Sequence, residues 1–439
     1  MHIGIDFRDS FTLTSKPFLR LRLSSKSATL IVTGPTYGSV ATSSSSGIYM
    51  RFISALTTES NQDMAVASLM ADIGEGMGNS RVDLIAAFFS PHFAEVIPMI
   101  AERLREAFHP QVLIGCTAEG VIGSEHEIEQ QPAISLLAGN LPGVKLDAFS
   151  LHNLTWQSTH RDVQTFAETL ASADEMRLAI LLADPFSTPV DALLDAFNTY
   201  RAGVPVIGGI ASGATQAGGN TLLLNDHTHH NGAVGVAISG AVSVDVIVSQ
   251  GCRPIGKPLN VTAVKENVIL GLEGEPPLSC IQDVVDGLSD EDRELLQNGI
   301  FVGRAINPRQ DMLGRGDFLI RAVMGVDPQS GAIVVGDEIE EGEMIQFHIR
   351  DAETAEEDLD MMLAPQGFYD PPCGGFLFSC NGRGTRLYDH PNGDIRTIRQ
   401  SLGLIDLAGF FCAGEIGPIR GRNFLHGHTA SMVLFRDGS

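Results

Sequence analysis

The residues best suited to binding chemistry lie in glycine-rich loops of the second half of the chain. They are Arg253, Arg383, Glu415, Arg422 and Asn423. A free amino acid needs a cation for its carboxylate and an acid for its ammonium group, and Arg383 or Arg253 with Glu415 could supply both. The same charges could instead form an internal salt bridge that ties the loops together. The sequence leaves both interpretations open.

Cysteines at the ends of apolar runs suggest a second chemistry. Cys116, Cys380 and Cys412 each stand at such a position. A thiol there becomes a nucleophile if a base such as His426 lowers its pKa and a neighbouring Asn or Glu orients that base. The favoured alternative is that each cysteine is a small buried hydrophobe at a crowded strand end.

Histidines cluster in the stretch "NDHTHHNG", residues 225–232. The Asn-Gly pair predicts a hairpin tip, and the histidines do not follow the spacing of a metal site. We therefore expect surface histidines, and we predict neither a metal nor a cofactor.

Strand-helix-strand patterns stand before the glycine-rich turns. "VDLIAAFFS" from residue 82, a helical periodicity over 93–108 and "QVLIG" form one unit; "RLAILLADP" (177–185), a helix and "VPVIGG" (204–209) form a second. Gly115 aligns with Gly208 and Gly120 with Gly213, which indicates an internal duplication. Apolar strands, which we expect to be antiparallel, follow each unit.

These patterns predict a mixed α/β (α+β) fold of two domains, 50–250 and 251–436, with duplicated strand-helix-strand units and additional antiparallel strands. Four glycine-rich turns end buried strands, at 115–120, 208–213, 381–384 and 415–428. Ligands of α/β proteins bind at such strand ends. We therefore expect the four turns to form one pocket.

The composition limits the classes of partner. The formal net charge is −24, and no basic stripe offsets it. Such a chain repels nucleic acids and anionic lipid surfaces, and no apolar run reaches the roughly 18 residues of a membrane span. Six cysteines without a C-x-x-C pair fit a reducing compartment, so a cytoplasmic protein is expected.

Residues 1–49 differ from the remainder of the chain. They carry five Lys/Arg against Asp6 and Asp9 and end in a serine tract. We expect either a poorly structured leader, such as a transit peptide, or an upstream start codon with the working protein beginning at Met50; the second is favoured.

Several sequence motifs of this chain are similar to those of one family. "MRFISALTTES", "IGCTAEGVIG", "QGCRPIGKPLNVT", "FHIRDA", "FSCNGRG" and "GFFCAGEIGPIRGRNFLHGHTAS" resemble the FIST-domain family, with an N-terminal FIST domain (50–250) followed by its C-terminal partner (251–436). The resemblance implies an intracellular sensory or signal-transduction protein that binds small ligands, with amino acids as one class, and acts on an unidentified signalling partner. Some relatives carry an F-box, for which residues 1–49 show no matching segment.

Three functions therefore stay open: a ligand-binding sensor, a cysteine-dependent hydrolase of small amides or thioesters, and a non-catalytic interaction scaffold. The sensor leads. Cys116, Cys380 and His426 are the weak catalytic candidates. The predicted ligand-binding residues are Gly115, Cys116, Thr117, Gly208, Gly209, Arg253, Asn381, Arg383, Glu415, Arg422, Asn423 and His426.

Overall fold

The computed structural model describes residues 49–151, 163–170, 175–310 and 312–438. These ranges contain eight α-helices and 24 β-strands, which confirms the predicted mixed α/β fold. The strands form three six-stranded sheets and one closed six-stranded barrel. Apart from its last residue, the predicted leader 1–49 lies outside the described residues.

The first two sheets rest on two segments with the same order of elements: strand, helix, strand, helix and four strands. Repeat 1 comprises β1 (Arg51–Thr57), α1 (Gln62–Met77), β2 (Leu84–Phe89), α2 (Ile97–Phe108), β3 (Val112–Thr117), β4 (Gly120–Gly123), β5 (Glu127–Glu129) and β6 (Ile134–Asn140). Repeat 2 comprises β7 (Val144–Leu151), α3 (Val163–Thr169), β8 (Met176–Ala183), α4 (Val190–Tyr200), β9 (Val206–Ile210), β10 (Leu222–Leu224), β11 (His227–His229) and β12 (Ala233–Gly240). The predicted duplication is therefore present.

A third repeat follows, interrupted by the barrel after its first strand, β13 (Val242–Gln250). The barrel segment comprises β14 (Cys252–Lys265), β15 (Val268–Leu272), α5 (Pro277–Asp286), α6 (Asp290–Leu295), β16 (Ile300–Ala305), β17 (Phe318–Val326), β18 (Ile333–Val335) and β19 (Met344–Arg350). Repeat 3 then continues with α7 (Ala352–Leu363), β20 (Gly374–Cys380), α8 (Gly393–Leu402), β21 (Leu407–Cys412), β22 (Glu415–Ile419), β23 (Arg422–His426) and β24 (Thr429–Asp437). Short 3₁₀ turns span Pro91–Val96, Leu296–Asn298, Ala364–Phe368 and Gly384–Arg386.

The three repeats exchange hairpins in a cycle. Hairpin β10–β11 of repeat 2 completes the first sheet, whose order is β1-β6-β2-β3-β10-β11. Hairpin β22–β23 of repeat 3 completes the second sheet, and hairpin β4–β5 of repeat 1 completes the third. In every sheet the two central strands are parallel, as β2–β3, β8–β9 and β20–β21. Strands from both sides of residue 250 thus share the second and third sheets.

The three sheets share one central apolar core. Along β2, Leu84, Ala86 and Phe88 face this core, whereas the alternate residues pack against α1 and α2 on the outer face. The Phe88 ring lies 5.0 Å from the ring of Phe410, which comes from repeat 3. Burial on both faces explains why the parallel strands read as continuous apolar runs, and it places the turns that end them side by side.

Candidate functional site

Glycine pairs of identical spacing mark the end of the second parallel strand in each repeat. The pairs are Gly115 with Gly120, Gly208 with Gly213, and Gly409 with Gly414. A β-carbon at the first member of each pair would lie 2.0, 1.9 or 1.7 Å from a carbonyl oxygen of the neighbouring strand. Only glycine permits such an approach. The predicted duplication is therefore a triplication, and the third pair extends the signal that the first two gave.

The structure brings the four predicted turns together; we call residues 115–120, 208–213, 381–384 and 415–428 the turn cluster. The backbone N–H of Glu119 donates to Ser212 Oγ at 2.9 Å, and the N–H of Asn381 donates to the carbonyl of Cys412 at 2.8 Å. A β-carbon on Gly209 would lie 2.2 Å from Cys412 Sγ. The fourth turn adjoins the second, since Glu415 pairs with Gly209 in neighbouring strands. The four turns therefore lie side by side and meet in direct van der Waals contact.

Thr117 illustrates how the space between the turns is filled. Its Oγ1 accepts a hydrogen bond from the backbone N–H of Thr221 at 2.9 Å. A β-carbon on Gly213 would lie 2.6 Å from Thr117 Cβ. The glycines in this part of the cluster allow close packing of the turns. They leave no space for a ligand there.

Arg383 forms an internal salt bridge in the turn cluster. Its side chain is 1% exposed, and its Nε and Nη2 donate to the Asp394 carboxylate at 3.0 and 2.5 Å. Nη2 also donates to the hydroxyl of Tyr388 at 2.8 Å. Burial alone would raise the pKa of Asp394, but the guanidinium outweighs burial and holds that pKa below its ordinary value. Of the two interpretations that the sequence left open, the internal salt bridge is therefore the one that applies to Arg383.

Glu415 is buried within range of the Arg383 charge. Its Oε2 accepts hydrogen bonds from the backbone N–H and the hydroxyl of Thr429 at 3.1 and 2.8 Å, and its Oε1 has no hydrogen-bond partner among the described residues. Burial raises the pKa of Glu415 to about 8. The side chain is therefore mostly protonated at pH 7 and lacks the full negative charge predicted for it.

The candidate thiols are held in the protonated form. Burial raises the pKa of Cys116, Cys380 and Cys412. His426 is also buried; its Nε2 lies 2.9 Å from the carbonyl oxygen of Gly417, and burial lowers its pKa to about 4. A reactive cysteine needs a cation or a base that favours the thiolate. The geometry does not favour cysteine-dependent chemistry.

The other predicted polar residues lie away from Arg383 and Glu415, although Arg422 and Asn423 belong to the fourth turn of the cluster. Arg253 ion-pairs with Asp351 at 2.7 Å and also with Asp292, at the base of the barrel. Asn423 is buried and holds β9, since its Oδ1 accepts from the Val206 N–H at 2.8 Å. Arg253 thus has its own carboxylates, whereas Arg422 and Asn423 line a separate cleft.

This cleft, of about 770 Å³, opens between α4, the barrel and the end of hairpin β22–β23. Small-molecule sites usually occupy roughly 300–1,000 Å³ and favour the boundary between structural parts. The charged and amide side chains on its walls include Asp191, Asp195, Arg304, Arg321, Asp337, Glu343, Arg420, Arg422 and Asn423.

Acidic side chains outnumber arginines on the walls of the cleft, which Glu266, Glu338 and Glu340 also line. On the barrel side, Asp337 accepts from Arg321 Nε at 2.8 Å and from Arg304 Nη1 at 3.3 Å, and Arg304 also pairs with Glu343 at 2.6 Å. On the α4 side, Asp191 makes no ion pair with a described residue within 4 Å. Partial burial raises the pKa of Asp191, against the opposing effect of Arg321. The cleft therefore offers a carboxylate without a partner beside an arginine pair.

Sequence reasoning missed the barrel wall of the cleft. Arg304 and Arg321 stand in strands, where an arginine usually marks a solvated face, and Asp337 lies in an acidic turn. Two arginines on adjacent strands near that turn were the feature of the sequence that could have indicated this wall. Which barrel face meets α4 depends on contacts between distant parts of the chain.

Comparison with known families gives two matches along the chain. The FIST N domain matches residues 83–275, and the FIST C domain matches residues 277–418. The chain belongs to the FIST family. Its relatives include an uncharacterized protein of Mycobacterium tuberculosis, 39% identical over 354 residues that cover 79% of this chain and 89% of the relative. An uncharacterized protein of Mycobacterium bovis is 39% identical over 331 residues, covering 75% of this chain and 84% of the relative.

FIST domains are associated with sensory and signal-transduction proteins. The cleft lies between the two matched regions, since α4 falls in the FIST N match and the barrel arginines fall in the FIST C match. None of the described helices is long and apolar enough to cross a membrane.

Proposed function

We propose that this chain is a cytoplasmic sensory protein that binds a small zwitterionic ligand, with amino acids as the leading class, in the cleft. Binding then alters the surface presented to a signalling protein partner. The observation that carries the proposal is the unpaired Asp191 carboxylate opposite the Arg304–Arg321 pair, in a cleft of ligand size between the two FIST regions.

The charges of the cleft match those of an amino acid. Arg321 donates through Nε to Asp337 and through Nη1 to the carbonyl of Ile320, while its Nη2 makes no hydrogen bond with a described residue. An arginine has five N–H donors in a planar fork, which suits a carboxylate. Asp191 then receives the ligand ammonium group.

The position of the cleft suits signalling. Its walls come from α4 of repeat 2, from the barrel and from the hairpin of repeat 3. A ligand that touches all three parts favours one of their relative arrangements by its differential affinity. The proposal thereby links occupancy of the cleft to the surface available to a partner.

Binding is preferred over catalysis because the thiols are buried and protonated, as described above. The scaffold interpretation differs from the sensor in one respect: a scaffold binds its partner without any ligand. Measurement of ligand binding therefore separates the two.

The test is a thermal-shift screen of the twenty proteinogenic amino acids on the full chain, followed by calorimetric titration of the strongest hit. We expect Asp191→Asn to weaken binding at least about tenfold, since a charge-assisted hydrogen bond contributes roughly 1.5–3 kcal/mol. Asp72→Asn makes the same chemical change on α1, away from the cleft, and serves as the matched control. Equal affinity in Asp191→Asn, or no hit, contradicts the proposal.

A further inference from the structure

Three buried side-chain nitrogens lie without partners where the barrel ends against the turn cluster. They are Arg350 Nε, Arg383 Nη1 and His428 Nδ1, and none makes a hydrogen bond with a described residue. Buried polar groups in native proteins nearly always have a partner. Two guanidinium donors beside an imidazole nitrogen that can donate indicate a site for an acceptor.

Glycine backbone keeps these donors close to one another. A β-carbon on Gly382 would lie 3.1 Å from His428 Nδ1 and 3.2 Å from Arg350 Nη1. A β-carbon on Gly251 would lie 2.8 Å from Arg383 Nη1, and the Gly251 N–H donates to the carbonyl of His428 at 2.9 Å. A side chain at either glycine would therefore crowd these nitrogens.

The local charge is positive. Arg350 donates to the carbonyls of Gly382 and Arg386 at 3.0 and 2.8 Å, but no carboxylate of the described residues forms an ion pair with it. Asp394 compensates only Arg383. Burial, with help from both arginines, lowers the pKa of His428 to about 4, so the ring is neutral. A neutral imidazole donates from one nitrogen, and Nδ1 is that donor in the tautomer that would bind an anion.

The three residues differ in how far they are buried. Arg350 and His428 are half-buried, whereas Arg383 is fully buried. The His428 ring packs against Phe301 of β16 at 4.4 Å, which fixes the ring where the barrel meets repeat 3.

We propose that Arg350, Arg383 and His428 form a second site, distinct from the cleft, that binds one small carboxylate anion. A carboxylate accepts several N–H donors in a plane, which matches two guanidinium groups better than a spherical ion does. A bound anion would join β19 of the barrel to the loop after β20. The site thus ties the inserted barrel to the three sheets.

The test uses thermal unfolding of the full chain at constant ionic strength, with sodium formate replacing sodium gluconate, whose anion is larger. We expect a saturable rise in the melting temperature with formate, because only the folded state binds. Arg350→Met should raise the apparent Kd at least tenfold. Arg315→Met, which removes an arginine paired with Glu357 elsewhere on the surface, should leave the Kd unchanged.

A second measurement keeps the proposal falsifiable if Arg350→Met does not fold. Formate titration of the wild-type chain should produce a saturating change in the imidazole ¹⁵N shifts of His428. A linear response without saturation, a response to chloride but not to formate, or an equal formate Kd in Arg350→Met would overturn the carboxylate site. Failure here leaves the cleft proposal intact, because the two sites share no residue.

Discussion

The cleft and the turn cluster both set arginines beside carboxylates, yet they differ in what surrounds those charges. Beside the turn cluster, Arg383 and Asp394 are 1% and 0% exposed, and Arg383 pairs with the Asp394 carboxylate through Nε and Nη2. In the cleft, Asp191 makes no ion pair with a described residue, and Arg422 and Asp195 at the rim are 63% and 67% exposed. An ion pair enclosed by packing fixes the fold, whereas charges around an open cleft stay available to a ligand.

The largest effect is expected from a substitution that breaks the buried Arg383–Asp394 pair. Arg383→Met leaves Asp394 buried without its cation, and removal of one partner from such a pair typically costs about 3–5 kcal/mol. The free energy of unfolding, measured by urea denaturation, should fall by that amount.

The double variant Arg383→Met/Asp394→Leu serves as the control for this experiment. It removes both charges, and it should recover most of the lost stability. If the single variant lost less than about 1 kcal/mol of unfolding free energy, the buried pair would contribute no more than an exposed one. The proposed difference between the turn cluster and the cleft would then be wrong.

The next largest effect is the pH dependence of stability that the buried Glu415 carboxyl group causes. The pKa of Glu415 is about 8 in the folded chain, well above its ordinary value of 4.5. The unfolded state therefore loses its proton first as the pH rises, and stability falls between about pH 4.5 and 8 by up to about 1.4 kcal/mol per pH unit. Glu415→Gln removes this contribution, so its stability advantage over the wild type should grow across that range.

The same denaturation series across pH includes Glu127→Gln as its comparison. Burial also raises the pKa of Glu127 to about 8, so this variant should show a similar gain. A constant difference between Glu415→Gln and the wild type from pH 5 to 8 would show that Glu415 titrates normally.

Packing of the turns supplies a smaller effect. Gly209→Ala would place a β-carbon 2.2 Å from Cys412 Sγ, and overpacking a core of this kind costs about 1–3 kcal/mol. Cys412→Ala in the same chain removes the sulfur and should restore part of the loss. In contrast, Gly74→Ala on α1, where a β-carbon meets no atom within 4 Å, should be neutral or stabilising.

The smallest effect belongs to the rim of the cleft. Arg422→Ala removes its ion pair with Asp195, which lies at 3.2 Å between exposed side chains. Such pairs contribute about 0–1 kcal/mol, so the urea midpoint should barely move. A loss equal to that of Arg383→Met would show that the rim is structural.

Local patterns predicted much of the fold. The apolar runs of β2, β3, β8 and β9 are buried on both faces, so their sequences predicted buried strands in two equivalent units. The third repeat was missed because the barrel, residues 252–350, separates β13 from the remainder of its sheet. In addition, Phe410 and Phe411 stand between Gly409 and Gly414, where the first two copies carry smaller residues.

The candidate site was predictable only in part. Glycine spacing led to the turn cluster, because close approach of strands leaves a mark in the sequence. The cleft left no such mark, since Arg304 and Arg321 resemble any polar residues of a barrel. Its formation depends on hairpin exchange between repeats, which joins segments far apart along the chain and has no local signature.

Hydrogen–deuterium exchange of the full chain, with and without an equimolar mixture of the twenty proteinogenic amino acids, tests directly whether the cleft is the ligand site. We expect slower exchange in 190–200 and 333–343, which border the cleft, and unchanged exchange in 380–388, the segment around Arg383. Protection centred on 380–388, or no protection in any segment, would contradict the assignment of the cleft as the ligand site.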